Sequence, residues 1–261
     1  MAWDPQGNVV VADEDNHRLQ VIRLSDGACL RTIGSEGAGN GQFNSPRGVA
    51  FDSAGHIIVA DTFNHRVQVL RYSDGSHVRT IGSRGSGNGQ FMYPCSVAVD
   101  GSGSMFVHDS DNGRIQVLRV SDGAHVRSMC SEGSGPGQIR GWGSVALDGQ
   151  GNVVVADCNR VQVLRCSDGA HLRTIGSEGS GAGQFNSPYG VAFDSAGHII
   201  VADTYNDRVQ VLRYSDGSHV RTIGSPGSGN GQFNHPYGVL IDSQGRIIVS
   251  DTANHRIQVL Q

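Results

Sequence analysis

Hydrophobic and polar positions along the chain follow a pattern that keeps restarting. Its clearest copy begins at Gly48. Four short apolar stretches, 48–51, 57–60, 67–70 and 78–81, are separated by Asp-Ser-Ala-Gly, by a loop with Asn64-His65-Arg66, and by Ser-Asp-Gly. Stretches this short, bounded by Gly, Asp and Ser, read as strands joined by tight turns. Asp bonds its own backbone there and Gly accepts a positive φ. Polarity rises along the copy: the second stretch is apolar throughout, the third alternates Val with Gln, and the fourth carries His77 and Arg79. A sheet whose early strands are buried on both faces and whose last strand is an exposed edge gives this gradient. The aspartate that closes the first stretch recurs at Asp4, Asp52, Asp100, Asp148, Asp194 and Asp242, at intervals of 48, 48, 48, 46 and 48 residues. The short interval comes from one deletion, where Asp157-Cys158-Asn159-Arg160 replaces Asp61-Thr62-Phe63-Asn64-His65-Arg66.

Six copies predict an all-β fold: a six-bladed β-propeller of four antiparallel strands per blade, in one domain over residues 1–261. The blades start near residues 1, 48, 96, 144, 190 and 238. The fourth strand has only five copies, so the last blade is expected to lack its outer strand and to expose an edge that invites pairing with another strand. A stretch ahead of Met1 is one source of that strand.

The phrase Val-Ala-Asp-x-x-Asn-His-Arg-Val-Gln-Val resembles the NHL repeat. Asn16-His17-Arg18, Asn64-His65-Arg66 and Asn254-His255-Arg256 carry the likeness, as does the Gly-Gln-Phe-x-x-Pro-x-Gly-Val phrase at Gly41, Gly183 and Gly231. Copies three and four depart most, through Asn112-Gly113-Arg114 and the deletion. The resemblance implies a propeller that serves as a binding module, as in tripartite-motif ubiquitin ligases, where it recognises partners or substrates. Some members of the family bind RNA, and related propellers work as zinc-dependent lyases or as lactonases.

Charge sorts these classes. The net charge of −4 and acids outside the repeated columns, such as Glu36, Glu132 and Glu178 in the connectors, work against phosphate contacts, so RNA is disfavoured. All 20 basic residues are Arg, which suits repeated bidentate ion pairs. Most charges fall in columns of the repeat, and a residue needed by every blade serves the fold. The acids outside the columns are Glu14, Asp15, Glu36, Asp111, Glu132, Glu178 and Asp207, and the arginines are Arg47, Arg84, Arg140 and Arg246. The pair bracketing the loop, Asp61 and Arg66, reads as a loop-fixing ion pair. The turn aspartates stand singly beside Gly, whereas calcium needs several oxygens on one loop. Only His108 stands inside a second strand, and one histidine is no zinc set. Gly-Ser-Gly strings sit in connectors between blades and are no phosphate-binding fingerprint. No Gly-x-Ser-x-Gly elbow or His-Glu-x-x-His motif occurs. The expectation is therefore no enzyme and no cofactor.

The five cysteines, Cys29, Cys95, Cys130, Cys158 and Cys166, are odd in number and scattered over unrelated columns. They read as free thiols of a reducing compartment. With no signal peptide and no apolar run of spanning length, the expected location is cytoplasmic and off the membrane.

The variable positions lie in the loops between strands two and three and in the connectors between blades, which share one end of the blades. One position before the first strand reads Arg47, Cys95, Gly143, Tyr189 and Tyr237 in successive copies. Arg84, Met92, Tyr93, Arg140 and Trp142 neighbour it. Aromatic residues and Arg anchor protein interfaces. The candidate binding set is therefore Arg47, Arg84, Met92, Tyr93, Cys95, Arg140, Trp142, Tyr189 and Tyr237, with a protein as the expected partner.

Overall fold

The computed structural model describes residues 1–261. Five four-stranded antiparallel sheets and one three-stranded sheet follow one another along the chain, each built from consecutive strands. They are the blades of a six-bladed β-propeller whose last blade has three strands. The chain divides into two compact units, Met1–Gly133 and Ser134–Gln261, with three blades in each.

Blade two shows the common plan. Its strands are Pro46–Phe51, His56–Asp61, Arg66–Arg71 and His77–Ile81. Each runs one or two residues beyond the stretch predicted from hydrophobicity, because the ladder continues through the polar ends. Ile57, Ile58, Val59 and Ala60 of the second strand are fully buried, as a strand covered on both faces must be. The core lies between neighbouring sheets. Ile58, Val67 and Val69 of blade two pack against Phe91, Val97, Met105, Val107 and Leu118 of the next blade and its connector. In the second unit Ile200, Val209 and Val211 meet Val239, Ile247 and Val249 in the same way. The first strands carry Gly and Ala because their backbones come close. A Cβ on Gly48 would lie 2.7 Å from the Ser96 Cα and 2.8 Å from the Val97 nitrogen.

The aspartate ending each second strand organises the polar half of the blade. Asp61 is fully buried. It accepts the Asn44 N–H at 2.7 Å, the Asn64 amide at 3.0 and 3.1 Å, the Arg66 Nε–H at 2.7 Å and the Gln68 amide at 3.0 Å. Arg66 then donates to the Ala38, Gly39 and Gln42 carbonyls at 2.8, 2.7 and 3.0 Å. Gln68 donates to the Gln42 carbonyl at 2.6 Å and accepts the Gly41 N–H at 3.0 Å. One carboxylate thus fixes the loop ahead of the third strand and the connector arriving from the previous blade. Phe43 of that connector is fully buried, which adds an apolar anchor.

Opposite-end ties are simpler. The Tyr72 hydroxyl donates to Asp4 of blade one, and Arg31 lies 4.6 Å from the Tyr72 ring centroid. In the second unit Tyr214 donates to Asp148 at 2.9 Å under Arg173. Burial first, then the neighbouring carboxylate, pushes the Tyr72 phenol up to about 12.

Two kinds of ion pair should therefore differ in weight. The Arg71–Asp74 pair in the turn before the fourth strand leaves both side chains more than half exposed, whereas Asp61 is wholly covered. Asp61→Ala strands the Arg66 and Gln68 donors in the interior and should cost about 3–5 kcal/mol. Asp74→Ala should leave stability near that of the parent chain. Urea denaturation midpoints of the two variants check this, and equal losses would contradict it.

Candidate functional site

The loop between second and third strands is a three-residue 3-10 turn, Thr62–Asn64 in blade two, followed by His65 in the left-handed conformation at φ 54°. Four of the five connectors also place one left-handed residue just before a proline: Ser45, Tyr93, Ser187 and His235 have φ between 48° and 52°. The two kinds of left-handed residue meet. The Tyr93 N–H donates to His65 Nδ1 at 3.1 Å, and the Ser45 N–H to His17 Nδ1 at 3.0 Å. In the second unit Asn159 Oδ1 accepts from Ser187 at 3.0 Å and Asp207 Oδ1 from His235 at 2.7 Å. The residue between Asn and Arg in the repeated loop is therefore a clasp onto the following connector. Asp replaces His there because it too accepts a hydrogen bond and tolerates the left-handed region, whereas in the shortened loop Cys158 is the left-handed residue and Asn159 supplies the acceptor.

In the first unit the candidate residues part company. Arg47 is spent on Glu14 of blade one, with nitrogen–oxygen distances of 2.9 and 2.6 Å. Burial nevertheless outweighs Arg47 and raises the Glu14 carboxyl above its ordinary value. Cys95 is fully buried and takes the Ser110 hydroxyl at 2.8 Å, so a partner cannot touch it. Met92 is half-buried, its N–H given to Asp109 at 2.6 Å. Tyr93 is half-buried, in an edge-to-face cluster with Phe63, centroids 5.3 Å apart, and with His65, at 4.5 Å. Arg84 is exposed close by. Burial first, and then the Arg84 charge, hold His65 below the usual imidazole value, against the pull of Asp111 and Asp109. Phe63 is 42% exposed.

The second unit has its own cluster. Tyr189 and Tyr237 meet edge to face at 4.9 Å, and Tyr205, 55% exposed, meets His235 at 5.0 Å. Arg140 is exposed, with its N–H bound to Asp157 at 2.9 Å and its carbonyl taking the Cys158 thiol at 3.3 Å. Trp142 is half-buried. No group of three or more His, Cys, Asp or Glu side chains could hold a metal ion. His108 is fully buried within its sheet.

Phe63, His65, Tyr205, Asp207 and His235 were outside the candidate set, yet the sequence holds a signal for them. Residues 41–91 and 183–233 are near-copies that differ at four positions: Arg47/Tyr189, Phe63/Tyr205, His65/Asp207 and Arg84/Pro226. Three of the four lie in the second-to-third-strand loops or the connectors, and Arg47/Tyr189 is the second residue of the first strand, at its connector end. The clasp partner changes with its neighbour, His65 beside Tyr93 in one copy and Asp207 beside His235 in the other.

Four stretches, residues 1–22, 43–70, 185–212 and 233–260, match the NHL repeat. The chain is an NHL-repeat β-propeller. The blades of this NHL propeller without a match are the third, where Gly113 replaces the clasp histidine, and the fourth, which carries the deletion. No curated protein matches the NHL propeller in sequence. Solved structures share its fold. A chain of the Kuenenia stuttgartiensis hydrazine synthase is 12% identical, with a TM-score of 0.68 over 100% of this chain and 94% of that one. A Bacteroides caccae protein of unknown function is 15% identical, with a TM-score of 0.68 over 94% and 82%. A chain from a nidogen/laminin complex is 16% identical, with a TM-score of 0.70 over 97% and 93%. No helix of the NHL propeller is long and apolar enough to cross a membrane.

The clasp makes a pH prediction. His65 Nδ1 accepts a hydrogen bond, so protonation there removes the acceptor, and the folded pKa lies below the ordinary 6.5. Below 6.5 the unfolded chain binds the proton first. Stability from this group is thus complete above 6.5 and falls as pH drops through the folded value. His65→Asn borrows the acceptor that Asn159 uses. It should keep the melting temperature at pH 7.5 and flatten part of the decline between pH 7 and 5. Circular-dichroism melts across that range check it; an unchanged acid decline would refute the role of His65.

Proposed function

We propose that this NHL propeller is a binding scaffold, without catalytic activity of its own, that recognises a protein partner through the loops between second and third strands and the connectors. The observation that carries this reading is the pair of near-copies, residues 41–91 and 183–233. Both keep every turn at the opposite end and every strand residue but one, and all four of their differences, Arg47/Tyr189 at the start of the first strand included, are at the loop-and-connector end. Differences confined to one end, Phe63/Tyr205 and Arg84/Pro226 above all, are suited to contacts beyond the blade.

The chemistry of the two patches supports a polypeptide partner. Phe63, Tyr93 and Arg84 in one unit, and Tyr189, Tyr205 and Tyr237 in the other, are the residue types that anchor interfaces. Arg84 gives the first patch a positive charge that Pro226 removes from its counterpart, which gives the two patches different preferences. RNA is the weaker reading, because Glu36, Glu132 and Glu178 are exposed in the same connectors and would repel phosphates. A reaction is the weakest. The recurring aspartates are consumed by Arg, Asn and Gln donors of their own blades, which leaves no acid–base pair for a substrate. Five unlinked thiols fit a reducing compartment, and the cytoplasm is the location in this reading.

Affinity capture with the intact chain, followed by titration of the recovered partner, tests the proposal. Phe63→Ala with Arg84→Ala should weaken binding by about 2 kcal/mol or more, while melting stays near that of the parent because both side chains are exposed. Arg140→Ala with Trp142→Ala tests the second unit in the same way. Stoichiometric metal in the purified protein, or partner binding untouched by both double variants, would overturn the reading.

A further inference from the structure

The dipeptide Asn-Gly occurs four times, at 40–41, 88–89, 112–113 and 230–231. Asparagine is a thermolabile residue, and a following glycine has no side chain to shield its nitrogen from the asparagine amide. Three of the four pairs sit at one place, the turn of a connector. There the Gln42 N–H donates to the Gly39 carbonyl at 3.2 Å, Gln90 to Gly87 at 3.1 Å and Gln232 to Gly229 at 3.1 Å. Asn40, Asn88 and Asn230 are exposed, and no hydrogen bond holds their side-chain amides. The glycines that follow have φ of 73–75°, and a Cβ placed on any of them would meet nothing within 4 Å.

Asn112 has the same neighbour in a different setting. It is half-buried, and its amide donates to Asp109 at 2.9 and 3.0 Å and to the Gly85 carbonyl at 2.9 Å. A Cβ on Gly113 would lie 2.6 Å from the Glu132 Cα. The fold does not need the three exposed asparagines. Connectors with Pro136 or Ala182 at that position make the same turn, Gln138 to Gly135 and Gln184 to Gly181, both at 3.1 Å. They also keep the next glycine on a third-strand glutamine, Gly137 on Gln162 and Gly183 on Gln210, both at 2.9 Å.

We propose that Asn40, Asn88 and Asn230 are sites of spontaneous covalent modification, closing to a succinimide and reopening as aspartate or isoaspartate, while Asn112 is protected by its blade. The Gly41 nitrogen attacks Cγ of Asn40. The N–Cγ bond forms, the Cγ–Nδ2 bond breaks, and ammonia leaves with the glycine's amide proton. Water then adds to one of the two ring carbonyls. Opening at Cγ gives aspartate in the original backbone. Opening at the backbone carbonyl of residue 40 routes the chain through Cβ and Cγ, which lengthens it by a methylene. No oxidant or reductant enters. Donation of the Gly41 N–H to Gln68 at 3.0 Å retards loss of that proton, so the folded chain reacts more slowly than an unfolded one. The longer linkage pulls Gly41 from Gln68 and disturbs the Gly39 carbonyl, which Arg66 holds at 2.7 Å. Isoaspartate therefore loosens a connector that the buried carboxylate otherwise fixes. The Asp-Gly turns of the opposite end are poor sites for the same closure. Hydrogen bonds from Arg23 and from Ser76 hold the Asp26 and Asp74 carboxyls down to about 2, and an ionised carboxylate offers no leaving group.

The intact chain is aged at mildly alkaline pH, digested at acid pH and mapped by mass spectrometry, with isoaspartyl and aspartyl peptides resolved by elution. Conversion at Asn40, Asn88 and Asn230 should run about tenfold or more faster than at Asn112, whose bonds to a buried carboxylate must first break. In guanidinium chloride all four sites should convert at similar rates, each faster than in the folded chain. The triple variant Asn40→Ala, Asn88→Ala, Asn230→Ala, which copies Ala182, should melt as the fresh parent does and hold that melting temperature on ageing, while the aged parent melts lower. Equal conversion at all four sites of the folded chain would overturn the assignment, as would none at the three exposed sites while the denatured chain converts. An aged, converted parent that melts as the fresh one would overturn the loosening of the connector.

Discussion

A buried carboxylate at the end of each second strand sets the terms for the rest of the molecule. Asp61 must be paid for with hydrogen bonds, because a charge removed from water is costly unless its lone pairs are filled. The donors that fill them come from three separate places: the connector at Asn44, the loop at Asn64, and the third strand at Arg66 and Gln68. A neutral amide at that position could not accept from all of them. Arg is required on the third strand for a related reason. Its planar fork reaches the carboxylate with Nε while the other nitrogens reach connector carbonyls, a geometry that a flexible ammonium does not hold. An irregular connector can thus be as fixed as a strand, and a chain with 20 Arg and no Lys is in keeping with that use.

The deletion in blade four shows which parts of this arrangement are indispensable. Asp157 keeps its bonds to the Arg140 N–H, to Arg160 and to Gln162. It has no Asn donor, because Asn159 has moved into the clasp and accepts from Ser187. The shortened loop has dropped its 3-10 turn, and Cys158 supplies the left-handed residue at φ 51°. The Asp–Arg–Gln core and the clasp both survive, and the Asn bond is what gives way. Blade three makes the complementary choice, retaining Asn112 on Asp109 while Gly113 stands where the clasp side chain would be.

Strand positions, blade count and the open edge of the last blade were legible because they depend on hydrophobic spacing along the chain, and so was the pairing of Asp61 with Arg66. The clasp was not. His65 and Tyr93 lie 28 residues apart, and nothing in their local sequences marks them as partners. The candidate site was read with mixed success for a similar reason. The column through Arg47, Cys95, Tyr189 and Tyr237 marks a shared backbone position, but what each side chain does depends on the neighbouring blade. Arg47 finds Glu14, Cys95 sinks beneath Ser110, and the two tyrosines find each other. Column variability therefore located the region without separating surface residues from packed ones.

That separation changes how the two units present themselves. In the first, the charge of Arg47 is neutralised by Glu14, and the free positive charge sits instead at Arg84, near the Phe63–Tyr93 rings. In the second, Pro226 takes the place of Arg84 and Asp207 that of His65, so the corresponding patch is aromatic and carries an acid rather than a base. Apart from Arg47 and Tyr189 at the start of the first strand, the strands of the two copies are identical. Since the buried network holds the connectors regardless of what their tips carry, side chains at the tips can diverge at little cost to folding. The side chains of one patch can change without disturbing the other.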